Sequence, residues 1–148
     1  MSSSQASEHK NRALAYLRSG HKDLALEEFK SALSLETAIL GANHVVVAQT
    51  TLNVASILQA YGNYEDSLAM YHRSIQTLKE SGGKSCLAEL GSAYLNAGSC
   101  ELSLGKYEDS LAANRMALQC KEMFFGENSI EVKFLCSFIE TFHFYSFD

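Results

Sequence analysis

The stretch Gly62-Asn63-Tyr64-Glu65-Asp66-Ser67-Leu68-Ala69 returns 43 residues later as Gly105-Lys106-Tyr107-Glu108-Asp109-Ser110-Leu111-Ala112, with seven of eight positions identical. A fainter copy, Gly20-His21-Lys22-Asp23-Leu24-Ala25-Leu26, lies 42 residues before the first. Gly41, Gly83 and Gly126 keep the same beat, each 21 residues after a member of the first glycine series. Glycine just past an apolar helical run marks a helix end, because without a Cβ it reaches positive φ and lets the chain turn. The chain therefore reads helix, turn, helix, turn, three times over. Repetition at this period is the mark of stacked helical hairpins, each unable to bury its apolar face alone.

Apolar residues spaced three and four apart predict helices over about 7–19, 22–40, 45–61, 65–80, 86–104 and 108–125, with a seventh near the C-terminus. Residues 1–6 read as a flexible tail, and 7–148 as one domain with repeats over about 7–44, 45–85 and 86–128 and a terminal helix over 129–148. The expected fold is all-α, a right-handed superhelical array of three antiparallel helix hairpins plus a terminal unpaired helix. Asp23, Glu65-Asp66 and Glu108-Asp109 fall in first turns, where carboxylates complement the helix dipole. Asn43 suits the cap of the third helix, Ser85 that of the fifth, and Asn128 with Glu131 a capping box for the seventh. Gly91 and Gly98 sit inside a helix, where glycine costs about 1 kcal/mol against alanine. Such a cost points to a place where two helices approach closely. The chain has no proline, which fits uninterrupted helices.

A formal net charge of −5 with no Lys/Arg cluster argues against a nucleic-acid partner. No apolar run approaches the roughly 18–20 residues needed to span a bilayer, so no membrane insertion is expected, and the N-terminus lacks the pattern of a signal peptide. Cys86, Cys100, Cys120 and Cys136 share no C-x-x-C spacing and fall inside helices, which fits reduced thiols in a cytoplasmic protein. The five histidines show no metal-ligand spacing, so neither metal nor cofactor is expected. Gly82-Gly83-Lys84-Ser85 imitates the end of a phosphate-binding loop, but Leu78 stands where that motif needs glycine, and a helix precedes it in place of a strand. It reads as a turn. With no catalytic constellation in view, the chain is not expected to be an enzyme.

Ala25 and Phe29 match the alanine and phenylalanine that the tetratricopeptide pattern places four apart on its second helix, and Tyr16 stands at that pattern's tyrosine. Ser67 with Tyr71, and Ser110, Gly98 and Tyr94, occupy corresponding positions of the later repeats. The period is about eight residues longer than the usual 34. Together with the link Leu40-Gly41-Ala42-Asn43-His44, matched loosely by Phe125-Gly126-Glu127-Asn128-Ser129, it resembles the kinesin-light-chain type of tetratricopeptide repeat. The chain departs from the pattern in lacking the proline after each second helix. Asn114 stands where an aromatic is expected, and Glu101 where a tyrosine is expected.

Asn11, Asn53 and Asn96 keep the repeat, each nine residues before its turn glycine, so stacking would align them in a ladder along the first helices. In repeats of the type resembled, first helices line a concave groove and asparagines at this position contact the backbone of a bound peptide. An amide offers two donors and an acceptor, which suits an extended main chain. The resemblance thus implies a peptide or protein ligand, with Lys10, Leu14, Thr50, Ser56, Gln59, Ser92 and Ser99 as groove neighbours that would set specificity. Some proteins of this family clamp the C-terminal carboxylate of heat-shock chaperones. Lys10 and Asn53 could hold two of those clamp sites, whereas Leu14, Ser92 and Asn96 depart from the asparagine, lysine and arginine required. Seven of eight phenylalanines lie between Phe124 and Phe147, and Phe134, Phe138, Phe142 and Tyr145 follow helical spacing. They form a candidate end-interface, because a terminal helix normally turns a polar face outward. The expected function is a non-catalytic scaffold or adaptor binding a peptide in the groove. The alternatives are self-assembly, as a homodimer through the Phe-rich end, or a regulatory or targeting module of an enzyme assembly.

Overall fold

The computed structural model describes residues 2–81 and 83–147. Its helices are α1 (Ser3–Arg18), α2 (Lys22–Leu40), α3 (Val45–Ala60), α4 (Tyr64–Ser81), α5 (Leu87–Ser103), α6 (Tyr107–Phe125) and α7 (Ile130–Phe147), with one 3-10 turn at Gly83–Cys86 before α5. Three antiparallel hairpins, α1/α2, α3/α4 and α5/α6, stack into a right-handed superhelical array, and α7 packs on α6 at the end. The glycines that set the period do so at the backbone: all six adopt positive φ, between 55° and 87°. At Gly41 and Gly126 (φ 87° and 86°) the glycine stands immediately after the last helical residue, where a side chain would be strained.

The core follows the repeat. Ala13, Ala25, Phe29, Val54 and Ile57 join the first hairpin to α3, and Ala55, Leu68, Tyr71, Ile75, Ala93, Ala97 and Cys100 join the second to α5. Leu111, Ala117, Leu135 and Ile139 join α6 to α7. Each cluster thus uses one hairpin, or its second helix, and the first helix of the next unit, so no hairpin closes its own core. Full burial of Phe29 and Tyr71 contributes about 1.5–3 kcal/mol each.

Alanine, serine and glycine at the crossings let backbones come close. A Cβ added at Gly91 would stand 3.2 Å from Cys120 Cβ, and one at Gly98 would stand 3.3 Å from the Ser110 carbonyl oxygen. The two mid-helix glycines of α5 therefore mark its contact with α6, as their cost suggested. A serine from the repeated octapeptide clasps two of the hairpins. Ser67 Oγ donates to the Ala55 carbonyl at 2.7 Å, and Ser110 Oγ donates to the Gly98 carbonyl at 2.8 Å. The first hairpin has Ala25 and Ala13 at these positions and no such bond.

Several boundaries differ from the sequence reading. The tail expected over 1–6 is helical from Ser3, because the Ser2 N–H donates to Gln5 Oε1 at 3.3 Å and Ala6 is buried. The caps of α3 and α7 fall one residue later than Asn43 and Asn128. His44 Nδ1 accepts from the Val46 N–H, and Ser129 Oγ accepts from the Val132 N–H, both at 3.2 Å. In each link the N–H of the residue three after glycine bonds back to the glycine carbonyl, which carries that residue into the cap position. Ser85 does not cap α5, since the 3-10 turn places Cys86 there. Of the imitation phosphate loop, Gly82 lies outside the described residues, and the remainder is that turn.

Candidate functional site

The first helices α1, α3 and α5 carry the asparagine ladder. Asn11 and Asn53 are exposed, and neither amide is engaged by another described residue, so their donors and acceptors face outward. Asn96 is half-buried. Spacings of three and four place Asn53 with Ser56 on one face of α3, and Ser92 and Ser99 with Asn96 on one face of α5. Ser56, Ser92 and Ser99 are exposed, as is Leu14 on α1. The Ser92 hydroxyl donates to the Ala88 carbonyl of its own helix at 3.0 Å.

Tyr71, from α4, reaches through to this face. Its hydroxyl donates to Gln59 Oε1 at 2.9 Å, which leaves the Gln59 amide hydrogens available. Burial, and secondarily the neighbouring Cys100 thiol, push the Tyr71 phenol up to about 12, while Ser56, Ser67 and Asn96 act in the opposite sense through hydrogen bonding. At neutral pH the Tyr71 hydroxyl therefore keeps its proton and donates it to Gln59, joining α4 to α3 beneath this face. One turn earlier, Gln49 Nε2 donates to both oxygens of Glu89, at 2.8 and 2.9 Å, tying α3 to α5 beside the ladder.

Two expected groove residues are occupied elsewhere. Thr50 is 1% exposed, and its hydroxyl donates to Glu36 Oε2 at 2.6 Å. Lys10 Nζ lies 2.6 Å from Glu36 Oε1. Glu36 on α2 is itself only 3% exposed, so α1 and α3 jointly satisfy a buried carboxylate at the junction of the first two repeats. Thr50 is therefore a tie inside the array and no part of a ligand surface, and the Lys10 cation is already neutralised. Neither Glu36 nor the Gln49–Glu89 tie was legible in the sequence, since the partners lie 14 to 40 residues apart with no shared motif.

At the far end, α7 buries Val132, Leu135 and Ile139, with Phe142 half-buried beside the last two. Phe134, Phe138 and Tyr145 face outward, at 75%, 44% and 79% exposure. Phe138 and Phe142 stack with ring centroids 6.2 Å apart. Among the described residues no group of three metal-ligating side chains gathers, and no helix is long and apolar enough to cross a membrane. All four cysteines are free thiols, with Cys86, Cys100 and Cys120 buried.

The sequence profile of the tetratricopeptide repeat matches residues 4–80 and 46–123. No curated protein sequence matches the chain. Among solved structures, BtubC (BKLC) from P. vanneervenii superposes with a TM-score of 0.81 at 18% identity, over 93% of this chain and 55% of that one. The chain thus spans about half the length of BtubC. The first tetratricopeptide domain of Spaghetti (RPAP3), solved bound to the HSP90 peptide SRMEEVD, superposes with a TM-score of 0.67 at 15% identity, over 95% of this chain and 94% of that one. At these identities the likeness is one of fold.

Proposed function

The chain belongs to the tetratricopeptide repeat family, and from that premise we propose that it is a non-catalytic interaction module holding an extended peptide segment against the face of Asn11, Asn53 and Asn96. The observation that carries this reading is the pair of exposed, unengaged amides at the same register on α1 and α3, continued by Asn96 beside Tyr71 on α5. Amides at this spacing offer main-chain partners and leave side-chain selection to Leu14, Ser56, Gln59, Ser92 and Ser99. The RPAP3 domain, of similar fold, was solved with a peptide bound, which supports a peptide ligand. The carboxylate-clamp mode is disfavoured, since Lys10 is paired with Glu36 and Leu14, Ser92 and Asn96 stand at the other clamp positions. The buried free thiols fit work in the cytoplasm. A peptide selected from a displayed random library should contact the ladder, with amide cross-peaks of Asn11, Asn53 and Asn96 shifting on titration. Selection of peptides that shift only residues outside α1, α3 and α5 would overturn the reading.

A second reading rests on α7. Phe134, Phe138 and Tyr145 form an outward aromatic face at the end of the stack, suited to a second copy of the chain. Sedimentation across a concentration series separates the two readings. Self-association through this face disappears in Phe134→Ser/Phe138→Ser and is untouched by changes to the asparagines.

A further inference from the structure

Position 101 breaks the chain's own repeat. Its equivalents, 43 and then 42 residues earlier, are Leu58 and Tyr16, both packed on the core of the first junction. In the third repeat the position holds Glu101, 6% exposed on α5. His72 Nε2, on a largely exposed ring, stands 3.4 Å from Glu101 Oε1, whereas Oε2 is buried without a hydrogen-bond partner among the described residues. Glu101 lines a crevice of about 430 Å³ between α4 and α6, whose other walls include His72, Ile75, Tyr94, Asp109 and Met116. At 100° per residue Glu101 points about 140° away from Asn96 around α5, so this crevice opens on the side of the array opposite the ladder.

A buried carboxylate is costly unless donors converge on it, and a single exposed imidazole at 3.4 Å supplies little. Asp109, from the opposite wall, adds a second negative charge and no donor. Ile75, Tyr94 and Met116 offer apolar walls and an aromatic ring, the surroundings that suit an alkyl stem and a delocalised cation. We propose that this crevice receives an arginine side chain from a partner protein, its guanidinium on the Glu101 and Asp109 carboxylates and its stem along Ile75, Tyr94 and Met116. The planar guanidinium carries several N–H donors in one plane and can bond both the Glu101 and Asp109 carboxylates at once, which a compact ammonium does less readily. The chain's net negative charge would draw such a residue in.

The test is a titration with N-acetyl-arginine amide, read by methyl NMR at Ile75, Ala97, Ala112, Ala113 and Met116, with N-acetyl-citrulline amide as the uncharged isostere. Saturable shifts confined to these methyls are expected with arginine at millimolar concentration, and none with citrulline. Glu101→Gln keeps the side-chain shape and should weaken binding about tenfold or more. Asp109→Asn, at an exposed position, should weaken it less, and Asn11→Ala/Asn53→Ala/Asn96→Ala should bind as wild type. No saturable shift, equal shifts with citrulline, or full binding in both Glu101→Gln and Asp109→Asn would overturn the assignment. If Glu101→Gln disturbs the fold, Asp109→Asn decides alone, and undiminished binding there counts against the proposal.

Discussion

Replacing Gly98 with alanine sets helix propensity against packing, and the structure indicates which prevails. In an isolated helix the change would stabilise by about 1 kcal/mol. In the array the new Cβ would stand 3.3 Å from Asn114 Oδ1, 3.3 Å from the Ser110 carbonyl oxygen and 3.4 Å from Ala113 Cβ. Asn114 is buried, and the Ser110 carbonyl is fixed in the α6 backbone. Relief therefore requires α6 to shift away from α5, which stretches the 2.8 Å bond from Ser110 Oγ to the Gly98 carbonyl. Overpacking by one methyl costs about 1–3 kcal/mol, and weakening a buried hydrogen bond adds up to about 1 kcal/mol. Set against the propensity gain, the net loss is about 1.5 kcal/mol, or roughly 3–6 °C in Tm for a chain of this size. Thermal and urea unfolding followed by far-UV circular dichroism measures it. Because both changes act on one contact, Gly98→Ala and Ser110→Ala should combine to less than the sum of their separate effects. A Tm raised by Gly98→Ala would refute the close approach of α5 and α6.

Other consequences follow from the buried carboxylates. Lys10→Ala should lower stability in urea by about 2 kcal/mol, because it leaves Glu36 buried with only Thr50 as a donor, and adding Glu36→Gln should recover more than half of that loss. Burial pushes the Glu101 carboxyl up, with His72 and, more weakly, Lys106 acting against it and Asp109 with it. The folded chain therefore holds that proton more tightly than the unfolded chain, and the resulting stabilisation is present at acid pH and lost as pH rises through the raised value. Glu101→Gln should accordingly raise Tm at neutral pH, by a margin that shrinks on acidification. A margin independent of pH would contradict the assignment.

What the sequence disclosed, and what it withheld, divides along range. Gly41, Gly62 and Gly105 act through their own φ angles, so their spacing alone announced the hairpins. Gly91 and Gly98 were legible through a local rule, since mid-helix glycine is unfavourable unless a neighbour comes near. Ser67 and Ser110 recur in the repeated octapeptide, and that recurrence of a small hydroxyl at a buried register was a usable signal for the interhelical clasp. Glu36 gave no signal, because its burial is decided jointly by Lys10 on α1 and Thr50 on α3. The same junction removed Thr50 from the groove, although its helical position next to Asn53 suggested otherwise. Residues 1–6 read as a tail, but the Ser2–Gln5 bond and the burial of Ala6 favour helix from Ser3. On the ladder itself, spacing placed Asn11, Asn53 and Asn96 at one register, but only the fold shows Tyr71 of α4 bonding Gln59 of α3.

The proposed function has the ladder bind an extended backbone. It is tested most directly by fluorescence anisotropy of a peptide selected on the wild-type chain, titrated with wild type and with Asn11→Ala/Asn53→Ala/Asn96→Ala, each shown by circular dichroism to be folded. Loss of amide–backbone hydrogen bonds at about 1 kcal/mol per site predicts binding weaker by roughly 100-fold in the variant. Equal affinity for the two proteins would rule out backbone binding by the ladder and leave it a structural feature of the stack.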